Sequence, residues 1–183
     1  NSFTAPGQIV TIIGDASNNA RANHMNWTGV TNNSTLAGAS SQNLYIHGSL
    51  TLNSTMTFTF AGLLYFATTE SGQTIFTDGV PLDKNNIYFD GVGGEWTLLN
   101  DLDLGTRSFY LVNGTLNTNN HSIAAGQFYS YYTNARSFNL GSSELVLSSS
   151  TNAFYFRGDN FAFDAGTSLI RFTAENSELV HYL

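Results

Sequence analysis

Apolar and polar residues alternate along most of this chain, in short runs closed by Gly, Asn or Asp. Ile9 to Ile13 is a β-branched run ending at Gly14. Leu44-Tyr45-Ile46 leads through Gly48 to Leu50-Thr51-Leu52, and Met56-Thr57-Phe58-Thr59-Phe60 alternates strictly up to Ala61-Gly62. Leu63 to Ala67 and Gln73 to Thr77 follow, the second ending at the turn dipeptide Asp78-Gly79. Pro81 reads as part of the connection beyond it, where its missing N–H does no harm. Ile87-Tyr88-Phe89 stops at Asp90-Gly91, and Gly93-Gly94 precedes a separate run, Trp96-Thr97-Leu98. Leu102-Asp103-Leu104 ends at Gly105, and Phe109 to Val112 meets Asn113-Gly114, which predicts a tight turn. Leu116 to Ile123, Phe154 to Phe156 and Phe161 to Phe163 continue the plan. A period of two places successive side chains on opposite faces, so each run predicts a strand with one buried face. Helical periodicity is almost absent. The best helical candidate, Asp15 to Met25, has no apolar stripe and reads as a loop or a single turn.

Some of these runs repeat. Phe138-Asn139-Leu140-Gly141-Ser142-Ser143 returns 25 residues later as Phe163-Asp164-Ala165-Gly166-Thr167-Ser168. A further relative, Leu102-Asp103-Leu104-Gly105-Thr106, lies 36 residues before the first, a gap too long for one repeat. A degenerate strand–turn–strand unit of this length marks a solenoid. Short strands with frequent turns also suit an antiparallel β-sandwich. The repeat length, the apolar runs that would stack as inward Phe and Leu ladders, and the Asn residues at bends favour a parallel β-helix. About seven coils at ~4.8 Å would make a rod of about 30–35 Å.

The chain has 183 residues, enough for one domain with a real core. No linker divides it; residues 43–183 read as regular coils and 1–42 as an N-terminal cap or irregular first coils. Asp, Glu, Lys and Arg make up only 10% of the residues, against about 25% in an ordinary domain. Asn, Thr, Ser and Gly therefore cover the surface. The net charge of -7, with six Lys plus Arg, opposes binding to nucleic acid or anionic lipid. The absence of cysteine excludes disulfides and thiolate metal sites. No run is long and apolar enough to span a membrane, and Asn1 in place of Met points to a processed product or an excised segment.

Leu116-Asn117-Thr118-Asn119-Asn120-His121-Ser122-Ile123, Ser137 to Ser143 and Phe163 to Ser168 resemble repeats of very large exported bacterial proteins, and similar repeats occur in some phage tail fibres. Gly48-Ser49-Leu50-Thr51-Leu52 and the stretch from Phe89 to Leu98 fit the same style, so the resemblance covers most of the chain from about residue 43. It implies a right-handed parallel β-helix in an adhesin-like or fibre-like protein at a cell or virion surface. Its motifs are structural and carry over no catalytic residue.

Candidate chemistry is sparse. Asp101 and Asp103 would share one outer strand face about 7 Å apart, the arrangement of paired glycosidase carboxylates. Arg107 would be their cationic neighbour after the Gly105 turn, and the bland reading is a solvated strand face. Enzymes that degrade acidic polysaccharides on a β-helix gather basic residues, whereas this chain has one lysine, Lys84. Non-catalytic action is therefore expected, with a polysaccharide-degrading enzyme as the rival. Four scattered histidines offer no metal spacing. Asp78, Asp83 and Asp90 lie in loops as possible calcium ligands, without the nonapeptide that would support that role. No cofactor is expected. Tyr129, Tyr131 and Tyr132 form the densest aromatic group and are the candidate glycan site; Trp27 and Trp96 read as core plugs. The apolar stretch from Leu179 to Leu183 would stack on a neighbouring coil or subunit, so end-to-end partners and self-assembly into a filament are expected.

Overall fold

A computed structural model of the chain describes residues 5–15 and 17–182. Ala16, inside the expected 15–25 loop, and Leu183, at the end of the last apolar run, lie outside the described residues. Among the described residues there is no helix, and every strand pairing is parallel. The chain is a β-solenoid, not a sandwich of hairpins.

Three faces run along it. The first stacks eight strands, one per coil: Asn19–Ala22, Asn43–Ile46, Leu63–Phe66, the starts of Ile87–Leu98 and Phe109–Asn117, then Phe128–Ser130, Phe154–Arg157 and Leu179–Tyr182. The second face runs from Met25–Asn26 to Phe161–Asp164. The third begins with Ile9–Ile12, Thr35–Gly38 and Thr57–Phe58, breaks, and resumes with Leu102–Asp103, Ile123–Ala125, Glu144–Leu147 and Leu169–Phe172. The stretch before residue 43 is already coiled, since Ile9–Ile12 pairs with Thr35–Gly38 and Asn19–Ala22 with Asn43–Ile46.

The core follows from register. On the first face Leu44, Leu64, Ile87, Phe109, Phe128 and Phe154 stand over one another, pointing inward and buried. Trp96, Leu116 and Phe138 do so on the second face, and Leu102, Ile123 and Leu145 on the third. Each large side chain removed from water in this way contributes about 1.5–3 kcal/mol. Trp27 and Trp96 are indeed buried in this cluster.

Asn provides many of the bends. Among the described residues, eight of the nine non-glycine residues with positive φ are Asn, including Asn119, Asn120 and Asn160, and the ninth is Asp78. Their short polar side chains tolerate left-handed geometry and bond nearby backbone: Asn120 Oδ1 accepts from the Ser142 N–H of the next coil at 2.9 Å.

Three sequence expectations need correction. The 15–25 segment holds the strands Asn19–Ala22 and Met25–Asn26; the small residues Ala20 and Ala22 give no strand signal and pair because Leu44 and Ile46 lie beside them. Asp90-Gly91 and Asn113-Gly114 are not turns between separate strands but corners inside continuous ones, with register shifts at Asp90. A parallel ladder needs no hairpin, so Gly114 (φ 80°) serves as a bend. Leu102-Asp103 is not a predecessor of Phe138-Asn139. It lies on the third face against Ile123 and Ala124, and Phe138-Asn139 stacks on Leu116-Asn117. Pro81 lies outside any strand, in a connection as its sequence implies, and the third-face sheet is interrupted there.

A Cβ on Gly114 would lie 2.5 Å from the Gly94 carbonyl oxygen and 2.7 Å from that of Gly91, whereas one on Gly72 (φ 75°) would meet nothing within 4 Å. Gly72→Ala should therefore cost only the left-handed penalty of about 1–2 kcal/mol. Gly114→Ala should add about 1–3 kcal/mol of overpacking. Urea unfolding of the two variants measures the difference, and equal losses would contradict the corner geometry.

Candidate functional site

The first face carries its most distinctive feature on the outside. Between the inward residues of each strand lies one outward position, occupied in six successive coils by Tyr45, Tyr65, Tyr88, Tyr110, Tyr129 and Tyr155. Neighbouring ring centroids are 4.5, 4.7, 4.4, 5.2 and 5.1 Å apart in that order. Tyr88 and Tyr110 are inclined by only 8°. Arg21 occupies the same position one coil before Tyr45, its guanidinium carbon 5.4 Å from that ring's centre. Val180 follows Tyr155. Each ring is half-buried, and the four inner ones have the rings above and below against their faces.

Of the sequence candidates, Tyr129 lies in this column, and Tyr131 and Tyr132 gather beside it. Tyr131 packs on Tyr155 at 5.3 Å and edge-on to Tyr182 at 5.1 Å, and Tyr132 meets Tyr129 edge-on at 5.8 Å. The remaining column residues also carry a sequence signal. An apolar–Tyr–apolar triplet recurs as Leu44-Tyr45-Ile46, Leu64-Tyr65-Phe66, Ile87-Tyr88-Phe89, Phe109-Tyr110-Leu111 and Phe154-Tyr155-Phe156.

The loop bearing Tyr131 and Tyr132 is held from inside by Arg136, which is 4% exposed. Its Nε donates to Ser130 Oγ at 2.7 Å, Nη1 to the carbonyls of Asn134 and Asp159 at 2.9 and 2.6 Å, and Nη2 to those of Ser130 and Arg157 at 2.7 and 2.5 Å. Phe161 lies against the guanidinium, 4.9 Å from its carbon. Burial draws the pKa of this group down, with the Asp159 carboxylate opposing. The planar fork suits a task in which several fixed carbonyls need donors at once.

Asp101 and Asp103 are both exposed, and each carboxylate is tied into local backbone. Asp101 Oδ1 accepts from the Ser122 N–H at 2.8 Å and lies 3.7 Å from His121 Nδ1; Asp103 Oδ1 accepts from Gly105 N–H at 2.8 Å. Arg107 does not join them, because its Nε donates to the Asp83 carbonyl at 3.2 Å. Asp78 and Asp83 lie on one cleft of the third face, while Asp90, at a corner of the first, accepts from Asn113 Nδ2 at 2.7 Å. Among the described residues no three His, Asp or Glu side chains converge as a metal site would require.

No family model, curated protein or solved structure matches the chain. The fold itself therefore defines the class: a parallel β-solenoid carrying an external tyrosine column.

Burial pushes the phenols of Tyr88 and Tyr132 up to about 12, with neighbouring tyrosines adding to the effect. Tyr155 reaches about 12 through desolvation and its hydrogen bond with Tyr182, and burial raises Tyr65 and Tyr129 as well. Unfolded tyrosine titrates near 10. Above that pH the unfolded chain loses protons that the folded chain keeps, so stability should be intact below about pH 10 and fall as pH rises towards about 12. Absorbance at the tyrosinate band, followed with urea midpoints across that range, should show delayed ionisation and the loss of stability together. Ionisation of all tyrosines near 10 would contradict the column.

Arg136→Met should cost about 3 kcal/mol or more, since each orphaned buried carbonyl costs about 1–3 kcal/mol. Arg136→Lys should recover only part of this. Urea unfolding is the measurement, and a loss below about 1 kcal/mol for the Met variant would mean that water replaces the guanidinium.

Proposed function

We propose that this chain is a non-catalytic, rigid segment of an extracellular surface fibre or adhesin, extended by stacking coil on coil, with ligands held along its side. One observation carries the reading. Phe138, Leu147 and Phe154 are at most 1% exposed, yet the residues stacked on them in the last coil, Phe163, Phe172 and Leu179, are 37%, 36% and 54% exposed. The end of the solenoid is thus an apolar surface edged by unpaired strand backbone, on which a further coil fits. A second copy in head-to-tail contact fits it equally, because among the described residues the opposite end also presents a coil with one side unpaired. The tail-fibre resemblance is compatible with either arrangement.

The low charge supports an exposed, well-hydrated fibre, and the local hydrogen bonds of Asp101 and Asp103 support a structural role for both. At the Tyr129–Tyr132 patch Tyr129 is flanked by Tyr110 and Tyr155, so there a glycan would be held by the phenol edge and hydroxyl, with Tyr131 and Tyr132 beside it.

Electron microscopy of the purified chain should show rods or filaments joined end to end. Leu179→Lys together with Phe172→Glu should disperse them into single short particles while leaving the circular dichroism unchanged. Globular, unassociated particles from the unaltered chain at high concentration would contradict end stacking. A glycan array on the same sample tests side binding, and Tyr131→Phe with Tyr132→Phe should abolish any hit that depends on the hydroxyls.

A further inference from the structure

The third face is open between the third and fourth coils. On the other two faces these coils are in register, with Leu64 beside Ile87 and Gln73 beside Trp96. On the third, Thr57–Phe58 has no following strand, and Pro81 takes that position. Thr57 and Thr59 donate their N–H groups back to the carbonyls of Ser34 and Leu36. Successive residues of a strand turn their backbone groups to opposite sides, so Phe58 directs its N–H and C=O forward, towards Pro81. Proline has no N–H to return. Val80 spends its own on the Thr77 carbonyl, and Leu82 donates away, to Asp103.

The gap is a cleft of about 300 Å³. Its inner wall is apolar, made by buried Met56, Phe58 and Val80 with exposed Pro81 beside them. Thr57 and Thr59 are exposed on one side, and Asp78, Asp83 and Lys84 lie on the other. Asp78 Oδ2 accepts from the Ser54 N–H at 2.8 Å, which fixes that carboxylate across the two coils. Asp83 and Lys84 form an ion pair at 2.8 Å.

We propose that this cleft binds one neutral sugar ring of a surface glycan. The volume stands at the lower limit for ligand pockets and suits a single ring. A pyranose offers a C–H face to Pro81 and Val80, and hydroxyls to the two carboxylates, the threonines and the Phe58 backbone. An anionic ligand would meet two carboxylates against one ammonium that is already paired, on a chain of net charge -7. An extended peptide would need a row of open backbone groups, and here Phe58 alone supplies them. The site stands apart from the tyrosine patch, and it does not depend on how the coil ends assemble.

An amide-resolved NMR titration of the full chain with the methyl glycosides of glucose, galactose, mannose and N-acetylglucosamine tests this. At least one should give saturable shifts at Thr57, Phe58, Thr59 and Asp83. Pro81→Thr restores an N–H at the broken position, should close the ladder, and should weaken binding roughly tenfold or more, equivalent to about 1.4 kcal/mol. Asp83→Asn leaves the backbone untouched and should weaken binding even if Pro81→Thr fails to fold. Tyr132→Phe should leave it unchanged. The proposal is overturned if no glycoside shifts these amides, if shifts appear only around Tyr129–Tyr132, if Asp83→Asn binds as before, or if an extended peptide binds there while the sugars do not.

Discussion

Almost every strand of this molecule is stacked on the same position of the coil before it, and this backbone ladder governs the rest. It leaves each side chain with two main neighbours, roughly 4.8 Å above and below. Like residues therefore come to lie on like. Inside, that produces Phe109 on Phe128 on Phe154; outside, it produces six tyrosines in a column. The unusual composition has the same origin. Two like charges one coil apart repel by about 1 kcal/mol even in water, and the repulsion would recur at every coil. In the paired strands no charge is set directly on another: Asp90 aligns with Asn113, Asp103 with Ala124, Asp164 with Asn139 and Arg171 with Val146. Asn and Thr suit such positions because they are polar without repelling, and both can hydrogen-bond along the axis.

The ladder also explains why the features with functional potential lie where it changes or stops. Arg136 is a charge buried at a coil bend, and it is accommodated because the loop turns several carbonyls towards it. Pro81 cannot donate, so one rung is missing and a cleft opens there while the other faces remain closed. At the last coil the ladder has no next partner, and inward residues such as Leu179 are left half-exposed. A continuous solenoid has a packed interior with no room for an enclosed pocket. Chemistry is confined to its surface, its breaks and its ends.

The same logic decides what the sequence disclosed. Alternation in Met56 to Phe60 or Leu145 to Leu147 is local, so most strands and the solenoid class could be read directly. The 25-residue return of Phe138 at Phe163 is a true register pair. Coil length is not constant, however: Phe109 aligns with Phe128 after 19 residues and Phe128 with Phe154 after 26. A fixed period therefore loses the alignment, and Leu102-Asp103 was matched to the wrong face. The tyrosine column is hidden for the same reason, although five of its six members sit in an apolar–Tyr–apolar triplet and Tyr129 lies between Phe128 and Ser130. Tyr131 and Tyr132 drew notice as a local cluster, whereas Tyr45 and Tyr110 acquire meaning only once the coils are aligned. Pro81 reads from sequence as part of a connection, which it is, but only the aligned coils show that this connection interrupts the third face.

The column bears on recognition through its geometry. A tyrosine that binds sugar by its face needs that face free, but stacking at 4.4–5.2 Å gives both faces of each inner ring to other rings. What remains outward is a row of ring edges and hydroxyls at the spacing of the coils. Such a row can offer repeated hydrogen bonds, each weak, to something that runs along the solenoid axis. A ligand held through one ring needs a break in the repetition, and among the described residues the Tyr131–Tyr132 bend and the Pro81 cleft each provide one. Repetition thus sets the strength of the rod, and departures from it set where the rod can be specific.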